Sequence, residues 1–188
     1  MGRSQVVKAN KLVQAGYTLS LVEQRIVLLA IIAKRENQQI SSDGMLTIHA
    51  KNYADAFNVS KQAAQKALAE SVENLFSRKV TIEYFDAELN KKIPLTIRWI
   101  NAMTYLENEA SIKMRFNPEI VAEFTRLESN FTSYMLENIK DLNSAYSIRL
   151  YELLMQYKNL EKTPLIEVAK FRQMMGLASE EYKFMDDL

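Results

Sequence analysis

The sequence has no cysteine, a single histidine (His49), three prolines, four glycines and one tryptophan in 188 residues. Without cysteine there are no disulfides and no thiolate metal sites, and a reducing, cytoplasmic setting fits. One histidine cannot build a histidine-rich metal site, and His49 has no evident partner for Ser-His catalysis. Four glycines provide no glycine-rich phosphate loop. Long hydrophobic runs are missing too. The densest, "IVLLAIIA" at 26–33, falls far short of a bilayer span, and the N-terminus has no apolar stretch of signal-peptide length. Nor is there an excess of either charge: 24 Lys and Arg face 23 Asp and Glu, for a net +1. That excludes attraction of a polyanion by bulk charge, so any such affinity must come from local patches or from a part beyond this chain. The acidic pairs Glu107/Glu109 and Asp186/Asp187 fall on a turn and at the chain end, where solvation is the default. No cofactor, metal or catalytic group is expected. What is present is a globular composition, 48% hydrophobic and 25% charged, in a chain long enough to bury a core.

Residues 3–13 carry Arg3, Lys8 and Lys11 and no acid, and read as a loose solvated arm, with a phosphate-contacting arm as the alternative. "SLVEQRIVLLAIIAKRE" predicts the first strong helix. Ser20 and Glu23 form a capping box, and Lys34 and Arg35 suit the negative end of the dipole. Asp43-Gly44 marks a turn before a short strand over 45–50, with Leu46 and Ile48 on one face and His49 structurally idle. "KVTIEYFD" and "IPLTIRWI" alternate as paired strands, with Val80, Ile82, Tyr84, Ile93, Leu95, Ile97 and Trp99 inward. A further hairpin turns at 107–109, and Pro118 opens a helix capped by Asn117. Residues 136–159 read as a long helix with a stripe of Leu142, Tyr146, Leu150 and Leu153. Thr163-Pro164 breaks it, and another helix ends at Gly176. "SEEYKFMDDL" opens one more, with Tyr182, Met185 and Leu188 as its buried side. The chain stops in mid-helix there, which reads as truncation.

The most informative stretch is "AKNYADAFNVSKQAAQKALAESVENLFS", residues 50–77. A short helix presents Tyr53, Ala54 and Phe57, and Asn58 tolerates the left-handed backbone that the turn requires. Val59 plugs the turn, and Ser60 caps a second helix whose Ala64, Ala67, Leu68, Val72 and Leu75 face inward. This is helix-turn-helix spacing. The outward side of the second helix offers Lys61, Gln62, Gln65 and Lys66. Gln can pair with adenine edges, and Lys can reach guanine or phosphate. Glu70 and Glu73 further along would repel a DNA backbone, and an ordinary solvated face is the alternative. The hairpin that follows reads as a wing with Lys91 and Lys92 at its tip, Arg98 outward and Arg78 and Lys79 at its base. Such residues position a duplex without specifying sequence. The fold expected is α+β, a winged helix. A free sheet edge, which must be covered or paired, gives a physical reason to expect a homodimer.

"VVKANKLVQAGYTLSLVEQRIVLLAI" (6–31), "NSAYSIRLYELLMQYK" (143–158) and "FRQMMGLASEEYKFMDDL" (171–188) resemble the replication initiators of theta-replicating plasmids. These are two-winged-helix proteins that bind origin repeats called iterons. Residues 35–142 match by pattern more than by residue. The resemblance implies a first winged-helix domain over 1–160, with dimer and phosphate contacts, and the beginning of a second over 161–188, whose base-reading helix is cut off. It implies double-stranded DNA as partner, dimers that repress their own promoter, monomers that start replication, and host replication proteins and chaperones as further partners. A winged-helix transcription regulator and a dimerisation module without DNA binding remain the alternatives.

Overall fold

The computed structural model describes residues 4–36, 44–125, 130–178 and 181. Expectations placed on Arg3, Asp43, residues 126–129, and Tyr182, Met185, Asp186, Asp187 and Leu188 lie outside the described residues. Residues 4–13 are not an arm. They form strand β1 (Gln5–Ala9) and one turn of helix, α1 (Asn10–Val13), with Val6, Leu12 and Val13 in the core. β1 pairs antiparallel with β7 (Phe131–Met135). Lys8 can be buried because its Nζ lies 2.6 Å from Glu152 Oε1.

The expected capping box is present on α2 (Leu21–Arg35): Glu23 N donates to Ser20 Oγ and Ser20 N to Glu23 Oε2. α2 is the central core helix. β2 (Leu46–His49) leads into α3 (Ala50–Phe57), and α4 (Lys61–Ser77) crosses it. Asn58 adopts the left-handed conformation (φ 51°) between α3 and α4, and Ser60 Oγ accepts from Ala63 N at 3.1 Å. Ala64, Leu68 and Leu75 are fully buried. At about 1.5–3 kcal/mol for each buried leucine, this stripe holds α4 to the body far more strongly than any surface ion pair could.

Two hairpins follow α4. The first, β3 (Lys79–Asp86) with β4 (Lys91–Arg98), is a two-stranded sheet of its own. Its inner face buries Val80 and Ile82, but Tyr84, expected inward, is 46% exposed because the hairpin overhangs the core there. Lys91 and Lys92 belong to β4, opposite Asp86 and Phe85, rather than to the loop. The second hairpin, β5 (Ile100–Leu106) with β6 (Ser111–Phe116), pairs with the strand before the helix-turn-helix in the order β2-β6-β5. Its turn carries Glu107 and Glu109. α5 (Pro118–Thr125) starts after Asn117, whose Oδ1 accepts from Glu119 N.

The expected long helix over 136–159 is shorter. It is α6 (Ala145–Gln156), capped by Ser144. Its buried residues are Ile148, Arg149, Glu152 and Leu153, whereas Leu150 and Leu154 are 40% and 51% exposed. Two charged groups go inside because they satisfy each other and the backbone around them. Arg149 Nη1 donates to Glu152 Oε2 (3.1 Å) and to the Tyr17 hydroxyl. Its Nη2 donates to the carbonyls of Val13 (2.8 Å), Ala15 (3.1 Å) and Met174 (2.5 Å). Glu152 also accepts from Tyr134 at 2.5 Å. Burial pushes the Glu152 carboxyl up, but the charges of Lys8 and Arg149 and hydrogen bonds from Lys8 and Tyr134 outweigh it and hold the group below the usual carboxylate range. Burial, with the Glu152 charge alongside, pushes the Tyr134 hydroxyl well above its ordinary value.

After residues 158–167, which hold no helix or strand, α7 (Val168–Met175) returns to the body and ends at Gly176 (φ 73°), as expected. Met174 and Met175 bury against Val13 and Leu153.

Candidate nucleic-acid interface

The expected contact residues fall into three groups. The first lies on the first two turns of α4. Burial of Ala64 and Leu68 turns Lys61, Gln62 and Lys66 outward, with Gln65 half-buried beside them. Lys66 and Glu70 approach to 3.7 Å, both well exposed, a pair worth a few tenths of a kcal/mol that does not fix either group. These four side chains share one helix end, where the partial positive charge of the dipole adds to that of the lysines.

The second group is the outer end of the β3–β4 hairpin. Asp86 shapes the turn by accepting from Glu88 N and Leu89 N at 2.9 Å each, and Asn90 takes a positive φ. Lys91 is exposed, and Lys92 Nζ contacts Glu83 at 3.0 Å. The third group is the hairpin base. Arg98 stands over the Phe76 ring at 5.1 Å, with Lys79 directly across the strands. Arg78 is engaged internally: its Nε donates to both Glu23 carboxylate oxygens at 3.0 Å, tying the end of α4 to the start of α2.

The 17 residues of α4 span about 24 Å, and the eight of β3 about 26 Å. Lys61 and Arg78 therefore sit at opposite ends of one helix, and Lys92 and Arg98 at opposite ends of one strand. The structure brings Lys61, Gln62, Gln65 and Lys66 together, and separately Lys91 with Lys92 and Arg78 with Arg98. Sequence reasoning placed Lys79 at the hairpin base and missed Lys170; both are exposed and without an ion pair among the described residues. They lie far apart in sequence, on β3 and α7, and line neighbouring grooves. The β5–β6 turn, with Glu107 and Glu109, offers no cation. Among the described residues there is no group of three or more His, Cys, Asp or Glu fit to hold a metal ion, and no helix long and apolar enough to cross a membrane.

Comparison with known proteins agrees with this architecture. A replication initiation protein of Escherichia coli is 25% identical over 187 residues, covering 98% of this chain and 55% of its own length. A second Escherichia coli protein, known as an uncharacterized 27.6 kDa protein, is 28% identical over 169 residues, covering 82% of this chain and 67% of its own. The chain thus spans about half the length of the first relative. Among solved structures, the Pi initiator protein, crystallised in complex with iteron DNA, superposes with a TM-score of 0.72 over 93% of this chain and 73% of its own, at 20% identity. That likeness shows the fold. The family model for the initiator replication protein WH1 domain matches residues 5–155. The chain belongs to the initiator replication protein WH1 family, and its fold is the α+β winged helix.

Proposed function

We propose that the protein is a plasmid replication initiator that binds repeated sites in origin DNA, and that its dimer represses its own promoter. Family membership over residues 5–155 carries this reading. The Pi initiator was crystallised on iteron DNA, and the α4 face of this chain has the chemistry for the same kind of partner. In this reading residues 1–160 are the first winged-helix domain and 161–188 open a second. Lys61, Gln62, Gln65 and Lys66 approach the duplex, and Lys91, Lys92 and Arg98 contact phosphates, while Arg78 acts through its hold on Glu23. The protein works in the cytoplasm on double-stranded DNA, with host replication proteins and chaperones as partners. Its role is to bind and remodel DNA rather than to catalyse a reaction.

Gel-shift titration on a duplex with an origin's repeats, with Lys61→Ala/Lys66→Ala beside wild type, tests the reading. The double variant should bind repeat and unrelated duplexes more weakly by similar factors. No shift on any duplex at 50 mM salt, where phosphate contacts are strong, would defeat the proposal.

A further inference from the structure

Two grooves meet where Gln173 of α7 presses on Gly16, a position at which a Cβ would lie 3.3 Å from the Gln173 side chain. One, of about 340 Å³, runs between α1, α7 and the outward face of the β3–β4 hairpin, and is lined by Lys11, Lys92 and Lys170. The other, of about 530 Å³, is lined by Arg78 and Lys79, with no acidic residue among the described residues of its walls. Gly16, Thr81 and Gln173 border both. Among the described residues, Glu83 is the one acid lining the first groove, and it already holds Lys92. Arg78 and Lys11 are balanced by the buried carboxylates of Glu23 and Glu123 beneath. That leaves Lys79 and Lys170 as uncompensated cations on the walls, with Arg98 across the strand from Lys79. Along the same hairpin face Thr81 and Thr96 present hydroxyls 2.9 Å apart. From Lys79 to the position of Lys92, opposite Phe85, the face extends for about 20 Å, the rise of about six nucleotides in one strand of B-DNA.

The α7 wall of this track, with Lys170 and Gln173, exists only while α7 is in place. α7 is tethered through the mostly exposed residues 158–167 and held by the burial of Met174 and Met175 against Val13 and Leu153 and by a few polar contacts. Arg149 binds the Met174 carbonyl, Thr18 Oγ1 donates to the Gly176 carbonyl at 2.8 Å, and Gly176 lies so close to Tyr17 that a Cβ would come 2.1 Å from its carbonyl oxygen.

We infer that the outward face of the β3–β4 hairpin and α7 together form a phosphodiester-binding track, distinct from the α4 face and complete only when α7 is docked. This rests on the duplex-binding reading above. A DNA backbone fits because its regularly spaced phosphates match a linear set of cations and hydroxyls with no enclosed pocket for a small molecule.

The test is fluorescence anisotropy of the full chain on a 30-bp duplex of arbitrary sequence across a potassium chloride series. Lys79→Ala/Lys170→Ala removes two exposed cations and should reduce the steepness of log affinity against log salt by about 1.8, at about 0.9 per phosphate. Gly176→Ala, which dislodges the end of α7, should reduce the steepness as well, and adding it to the lysine pair should give less than the sum. If Gly176→Ala fails to fold, by circular dichroism, the lysine pair decides alone. An unchanged slope in Lys79→Ala/Lys170→Ala, with a reduced one in Lys61→Ala/Lys66→Ala, overturns the track and leaves the duplex-binding reading standing. Absence of binding by the wild-type chain overturns both.

Discussion

Arg149→Met is the sharpest test of how the fold is held. Methionine fills much of the same space but carries no donor. Five hydrogen bonds disappear: to the Tyr17 hydroxyl, to Glu152, and to the carbonyls of Val13, Ala15 and Met174. The guanidinium also leaves the Tyr17 ring, 4.0 Å below it. Glu152 keeps Lys8 and Tyr134, so its charge is not stranded. The three carbonyls lose this donor, and a buried acceptor left unpaired costs about 1–3 kcal/mol. Summed over the three carbonyls, with Glu152 still paired, about 4 kcal/mol is the expected loss here. For a chain of this length 1 kcal/mol moves the melting temperature by about 2–4 °C, so the midpoint should fall by about 8–16 °C. Arg149→Lys should recover only part of this, because three donors on a flexible stem cannot reach acceptors in three directions. Urea unfolding followed by circular dichroism gives the free energy, with the slope m checked for constancy. If Arg149→Met unfolds within about 1 kcal/mol of wild type, the network does not hold α1, α6 and α7 together and the reasoning fails.

Three further outcomes are expected. The folded-state pKa of Glu152 lies below its unfolded value, so its contribution is present above the ordinary carboxylate pKa of about 4.3 and is lost as pH falls through the lower folded value. Glu152→Gln should therefore flatten the acid limb of a stability-against-pH curve, and an unaltered limb would contradict this. Tyr134 has the opposite sign: with its pKa raised, stability should decline above pH of about 10 as the unfolded tyrosine ionises, less steeply in Tyr134→Phe. Separately, β4 pairs only with β3 and β5 only with β6 among the described residues, leaving edges that a second copy can extend. Sedimentation at micromolar concentration should show a dimer, and a strict monomer at that concentration would remove the claim.

Local chemistry was legible in the sequence wherever a few neighbouring residues decide the backbone. The Ser20–Glu23 capping box, the left-handed Asn58, the Ser60 cap and the terminating Gly176 all stand where expected. The outward residues of α4 were legible for the same reason, since the period of its buried alanines and leucines fixes the opposite face. What failed depended on distant partners. "QVVKA" reads as a solvated segment until Glu152 supplies a counter-charge for Lys8. Leu150 and Leu154 look like core, yet α6 turns Arg149 and Glu152 inward because those two bond each other and the chain around them. Alternation revealed the strands after α4 but not that β2 would bypass the first hairpin and pair with β6. The cations beside α7 come from separate elements, so no spacing announces them.

The pairing of β1 with β7 has a consequence for synthesis. Thr132 bonds Asn10 across 122 residues, and Lys8 meets Glu152 across 144. On a ribosome adding about 5–20 residues per second, the first strand waits roughly 6–24 s for its mate to be made. During that wait Val6 and Val7 have no edge to join, and α2 emerges with its core side uncovered. Newly made chains therefore pass through a vulnerable interval in which the first thirty-odd residues are sticky, and the final closure of the domain comes late, once α6 has left the exit tunnel.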